Sequence, residues 1–335
     1  MTTVDRVVEE RHWWDRLSAC PACGAKVSAS ADASRGRCGR CDLEWSQEGH
    51  ITEWHAERPV GDERALPYEW IAGHRLAGRA KIIFLAKRAL WKLLTLIGFP
   101  VRHLVRRKLA AFQRRSLVDR TLAEQWRRHY LKGLALPVNP LMFEYSYRKV
   151  EKLGFAALLG FRIAIQDIRR HVWWGDHRHA WFQLVPVAGR YLPFTDSVVD
   201  LAFTDGVIFD MERPSLDTFF RECLRILKPG GYLIIWGGNS RARTRALAEI
   251  RWHGRIHSLE EVRSSTGAAG FTEIDFSFEG YAPPMFPTVF NMLRAALSPW
   301  PFKTYDYDSW LSRWQRPERR SFWLLRLAKP SAVPS

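Results

Sequence analysis

Apolar and polar positions along this chain follow two rhythms, and both are clearest between Tyr191 and Asn239. Val198 to Phe203 is a short apolar run of the length and composition of a buried parallel strand. Leu216, Phe219, Phe220, Cys223, Leu224 and Leu227 then recur at helical spacing, which predicts an amphipathic helix with Cys223 on its packing face. Lys228-Pro229-Gly230-Gly231 ends that helix: lysine suits its negative end, proline cannot continue it, and the glycines permit the turn into a second buried strand, Tyr232 to Trp236. Strand, helix and strand in one unbroken unit is the signature of an α/β sheet.

A different pattern fills Leu66 to about Lys132, where cationic and apolar residues separate onto opposite helix faces. Lys81, Arg88 and Lys92 fall within an arc of about 40°, while Ile83, Leu90, Leu94 and Ile97 gather on the other side. Such a helix lies on a membrane surface or packs its apolar face against the main domain; both readings stay open. Charge sharpens the first, because the chain carries +16 overall and Arg75 to Arg120 holds thirteen Lys or Arg against one acid, Asp119. The 75–120 segment is therefore expected to meet an anionic lipid surface, or less readily a nucleic acid, for which no recognisable binding motif is present. Ile82 to Val101 is broken by Lys87, Arg88, Lys92, Gly98 and Pro100, so it is not read as a membrane span. The N-terminus has charges where a signal peptide needs an apolar stretch, which predicts a cytoplasmic protein, peripheral to a membrane at most. Sixteen tryptophans lie along the chain, as core or groove-lining residues or as an interfacial belt.

Four cysteines shape residues 1–60. Cys20-Pro-Ala-Cys23 and Cys38-Gly-Arg-Cys41 form two CxxC pairs with 14 residues between them, the spacing of a zinc ribbon, with Gly24 and Gly39 suited to the tight turns around the sulfurs. Four thiolates leave no open coordination position, so the zinc would be structural. A redox or disulfide arrangement is the competing reading.

The run LPF-x-D-x-x-x-D, a strand, an amphipathic helix, LKPGG and a further strand resembles class I S-adenosylmethionine (SAM)-dependent methyltransferases of the type 11-like group, over roughly Phe161 to Phe278 and again at Ser321 to Pro330. The resemblance implies a Rossmann-like doubly wound sheet over 140–335, preceded by the zinc ribbon and by a basic helical segment at 61–139, with an aromatic-rich insertion at 280–319. It places the second strand at Phe161 to Asp167, a third at Trp181 to Val185, a sixth at Phe271 to Phe278 and a last, antiparallel one at Ser321 to Pro330. By the same resemblance Asp167 receives the ribose hydroxyls of SAM, Glu144 stands where the first strand's acid stands, and Asp205 and Asp210 are candidate general bases. The implied activity is methylation of a hydrophobic or lipid-linked small molecule near a membrane. A catalytically inactive module of the same fold and an RNA methyltransferase are the alternatives.

Two positions depart from the family pattern. The glycine-rich loop after the first strand is absent, since Leu141 to Lys149 reads LMFEYSYRK, and the acid that precedes LPF is replaced at Ala188. Tyr145, Ser146 and Tyr147 stand where small residues let the cofactor approach the backbone.

Overall fold

The computed structural model describes residues 18–27, 34–48, 51–55, 119–145, 150–167, 180–184, 191–205, 208, 213–239, 257–279, 314–320 and 322–331. In chain order these form β1 (Arg35–Arg37), β2 (Glu44–Glu48), β3 (Ile51–His55), α1 (Arg120–Tyr130), β4 (Leu141–Tyr145), α2 (Val150–Leu158), β5 (Arg162–Asp167), β6 (Ala180–Leu184), β7 (Val199–Asp205), α3 (Arg213–Ile226), β8 (Leu227–Gly238), α4 (Leu259–Ala269), β9 (Thr272–Glu279) and β10 (Phe322–Ala328). All ten strands join one sheet in the order β1-β2-β3-β6-β5-β4-β7-β8-β10-β9. Strands β6, β5, β4, β7 and β8 are mutually parallel, and β10 runs antiparallel between β8 and β9. The order winds outward from β4 one way and from β7 the other, so the sheet is doubly wound with its reversal between those two strands.

The expected strands are present within a residue or two of their predicted bounds, except that β8 begins at Leu227, five residues before Tyr232, and takes in the LKPGG segment. The helix stops at Ile226 because Leu227 already pairs with Val199 across the sheet. Gly230 follows with φ +74°, and a side chain on Gly231 would meet the Lys228 carbonyl at 2.9 Å, so both glycines of LKPGG are required by the turn.

Each face of the sheet carries its own helices. Met142, Ile163, Ile165, Leu201 and Phe203 form one buried cluster with Trp126 and Tyr130 of α1 and Phe155 of α2. The rings of Trp126 and Tyr130 lie 6.4 Å and 5.3 Å from that of Phe203. Phe143, Tyr145, Ala164, Ala202 and Ile235 share the other cluster with Phe219, Phe220 and Cys223 of α3 and Val262 of α4. Cys223 is packing, as its helical position predicts. Full burial of each such large apolar side chain is worth about 1.5–3 kcal/mol.

Of the basic helical segment, the structure describes the end. Asp119 caps α1 by accepting from the Leu122 N–H, and the buried Arg326 of β10 donates to the Tyr130 and His129 carbonyls at the other end while pairing with Asp275 at 2.7 Å. Lys81, Arg88 and Lys92 lie outside the described residues, as does most of the insertion at 280–319. No helix among the described residues is long and apolar enough to cross a membrane.

The ribbon is built into the sheet. Strands β1, β2 and β3 pair antiparallel, and β3 then pairs in parallel with β6, Ile51 opposite Phe182. A second attachment joins residues 18–21 to 191–194: the Ala19 N–H donates to the Pro193 carbonyl, Ser18 bridges Phe194, and the Tyr191 N–H donates to the Pro21 carbonyl. Trp45 and Trp54 of the ribbon share the buried cluster of Phe143 and Phe194.

Candidate functional site: a four-cysteine centre and a carboxylate rim

The two cysteine turns are wired alike. In the first, the Cys20 N–H donates to the Ala25 carbonyl and the Gly24 N–H to the Cys20 carbonyl, both at 2.8 Å. In the second, the Cys38 N–H donates to the Leu43 carbonyl and the Asp42 N–H to the Cys38 carbonyl, both at 2.9 Å. The residue after each second cysteine is left-handed, Gly24 at φ +70° and Asp42 at φ +56°. The second turn thus rests on Asp42 and not on Gly39; aspartate is among the few side chains that tolerate this conformation. Gly24 is doubly constrained, because a β-carbon there would stand 3.3 Å from the Tyr191 ring.

This symmetry brings the four Sγ atoms within 4.8 Å of one another, Cys20 to Cys41 at 3.5 Å and Cys23 to Cys38 at 3.6 Å, with no disulfide among them. Tetrahedral sulfur ligands about 2.3 Å from zinc lie roughly 3.8 Å apart, so the cluster fits structural zinc. Burial pushes the Cys20 thiol well above its ordinary range, and a cation is what would make four thiolates stable together there.

The second site is the rim where the parallel strands end. Tyr145 lies opposite Gln166 on one side and Thr204 on the other, Asp167 opposite Leu184, and Asp205 opposite Trp236. A doubly wound sheet binds ligands above the carboxyl ends of its strands where the order reverses, here above β4 and β7. Asp167 closes β5, Asp205 closes β7 and Glu144 sits one residue inside the end of β4, so three of the expected residues stand at or next to strand ends on this rim. Asp210 lies outside the described residues. Glu144 is buried on the face that carries Met142.

Tyr145 takes the opposite face. Its ring packs against Phe219 at 5.3 Å and Phe143 at 6.4 Å, so this tyrosine fills core and not the crevice. On either side of it, Gln166 Oε1 and Thr204 Oγ1 are buried with no hydrogen-bond partner among the described residues. Buried polar atoms at the end of a sheet normally find a partner, and a polar ligand resting on the rim would supply donors for both. Two buried polar oxygens at the reversal point, both able to accept, fit the hydroxyl and amine groups of SAM.

The motif acids prove to be structural. Asp196 pairs with Arg225 of α3 at 2.7 Å. Asp200 is buried, accepts the Leu141 N–H at 2.8 Å and pairs with Lys228 at 2.7 Å, tying β4, β7 and the LKPGG turn together. Glu222 accepts the Leu192 N–H, and Arg225 donates to the Leu192 and Phe194 carbonyls, so LPF is clamped onto α3. The i,i+3 spacing of Glu222 and Arg225 on the polar face of the predicted helix was the available signal for this clamp.

Residues 163–235 match the family described as a methyltransferase domain. No curated protein matches the sequence. Solved structures similar to this one include geranyl diphosphate C-methyltransferase from Streptomyces coelicolor, at 16% identity over 62% of this chain and 78% of that one with a TM-score of 0.44. Another is the [4+2]-cyclase SpnF, at 20% identity over 63% and 82% with a TM-score of 0.43. A third is a SAM-dependent methyltransferase from Thermotoga maritima, at 18% identity over 68% and 99% with a TM-score of 0.41. By its strand order, its LKPGG turn and the family match over 163–235, this is a class I SAM-dependent methyltransferase fold with a four-cysteine ribbon joined to its edge.

Proposed function

We propose that the chain transfers a methyl group from SAM to a hydrophobic or lipid-linked small molecule. The observation that carries this reading is the rim itself, where Asp167 and Asp205 end β5 and β7 and Glu144 sits one residue inside the end of β4 between them, at the reversal point. Bound there, SAM would supply an electrophilic methyl group. Asp167 would accept hydrogen bonds from ribose hydroxyls, Glu144 would stand as the first strand's acid beside the cofactor, and Asp205 would receive the proton that a hydroxyl or amine acceptor loses. Positioning supplies most of the rate in such a transfer, so one poised base suffices. The cationic 75–120 segment supports a site of action at an anionic membrane on the cytoplasmic side.

A second reading, a non-catalytic module of the same fold, is favoured by one observation: residues 144–149 contain no glycine where the backbone meets the cofactor. Calorimetry of the zinc-loaded chain with S-adenosylhomocysteine separates the two. Micromolar binding that Asp167→Ala weakens supports transfer; no heat at millimolar ligand leaves the module.

A further inference from the structure

We propose that residues 314–320 form a docking surface for an anionic lipid bilayer. Only three large apolar side chains stand exposed among the described residues, and Trp314, 82% exposed, is the largest of them. A single exposed apolar residue is ordinary on a protein surface. This one is not isolated in character: Arg316 and Arg319, both exposed, follow within a turn, and neither guanidinium has an acidic partner among the described residues. Glu318 lies between them, and with Arg320 the strap keeps a surplus of positive charge.

The strap is held in place. The Asn239 side-chain amide donates to both the Glu318 and Arg320 carbonyls at 2.8 Å, and Arg320 donates to the Phe278 carbonyl at 2.9 Å. The Arg319 and Arg320 N–H groups close the turn onto the Arg316 and Pro317 carbonyls. Little ordering is left to be done on docking, which favours binding. Asn239 directly follows β8, so the strap stands at the carboxyl ends of the strands, on the same side as Asp167 and Asp205. An indole settles at headgroup depth and guanidinium groups pair with lipid phosphates, so Trp and Arg side by side match an anionic bilayer more closely than a soluble phosphate, which needs no indole. The +16 charge of the chain adds attraction of the same sign. This surface deepens the lipid-linked reading above, yet its test requires no methyl transfer.

The test is co-sedimentation of the full, zinc-loaded chain with vesicles of phosphatidylcholine alone or mixed with phosphatidylglycerol. The parent should partition onto the anionic vesicles. Trp314→Ser should weaken that partition several-fold and Trp314→Phe much less, while the double reversal Arg316→Glu with Arg319→Glu should weaken it more than about tenfold, at about fivefold per surface charge. Matched melting curves show that these exposed changes leave the fold intact. Variants that bind as tightly as the parent, equal binding to neutral vesicles, or no vesicle binding at all would each overturn the docking surface. Homocysteine-adduct calorimetry on the same samples keeps the outcomes apart, since a chain that binds S-adenosylhomocysteine but no vesicles loses the surface and keeps the cofactor.

Discussion

Carboxylates serve opposite ends on the two sides of the β4/β7 reversal. Between Tyr191 and Lys228, Asp196, Asp200 and Glu222 hold a guanidinium, an ammonium and two backbone N–H groups, and two of the three are buried. Between Leu141 and Leu184, Asp167 ends a strand and Glu144 lies beside an end. The first set ties elements to one another; the second stands at the strand ends where we propose the cofactor binds. A motif can therefore mark a fold strongly while both of its own acids, Asp196 and Asp200, are structural; of the three proposed site acids, Glu144 and Asp167 stand in the less distinctive half and Asp205 just beyond the motif.

The difference can be broken in several places, beginning with the metal. The ribbon touches both halves, through β3 and β6 on one side and through 18–21 and 191–194 on the other. Chelation, or Cys38→Ser, should lower the melting temperature by more than roughly 10 °C and loosen amide exchange at both attachments. If only the ribbon loosens, its joining to the two halves is not mechanical. Zinc affinity should also rise with pH. Burial raises the Cys20 thiol, so the metal-free site keeps a proton that zinc must displace, and acid favours the protonated form.

Asp200→Ala comes next, with a loss of about 2–3 kcal/mol in chemical denaturation, because it strands the buried Leu141 N–H. The Lys228 pair adds little, since that lysine is 41% exposed. Gly237→Ala should cost about 1–3 kcal/mol, as its new carbon would stand 2.1 Å from the Trp323 ring, which must shift. Smallest in stability is Asp167→Ala, expected within about 0.5 kcal/mol of the parent while S-adenosylhomocysteine affinity falls about tenfold or more. A large stability loss there, with affinity per folded molecule unchanged, would erase the distinction between the halves.

Much of this was legible in the chain. The parallel strands and α3 declare themselves by period, and the cysteine spacing predicts their convergence. What could not be read is long-range. Nothing in ITEWH says that β3 joins β6, because parallel pairing depends on a partner some 130 residues away and leaves no local mark. Arg326 looks like an interruption in an apolar strand until α1 arrives to present the His129 and Tyr130 carbonyls to it. Tyr145 reads as an obstruction beside Glu144, yet strand alternation turns it to the α3 face, where Phe219 receives it.

The pairing of β3 with β6 has a consequence for how copies of this protein behave toward one another. Without the ribbon, β6 would end the sheet and offer its unpaired backbone groups to any passing strand. With it, that boundary moves out to β1, three residues long, whose Arg35 and Arg37 are exposed and charged. A short cationic border is a poor template for intermolecular pairing, so a zinc ion that holds the ribbon together would also guard this edge against aggregation.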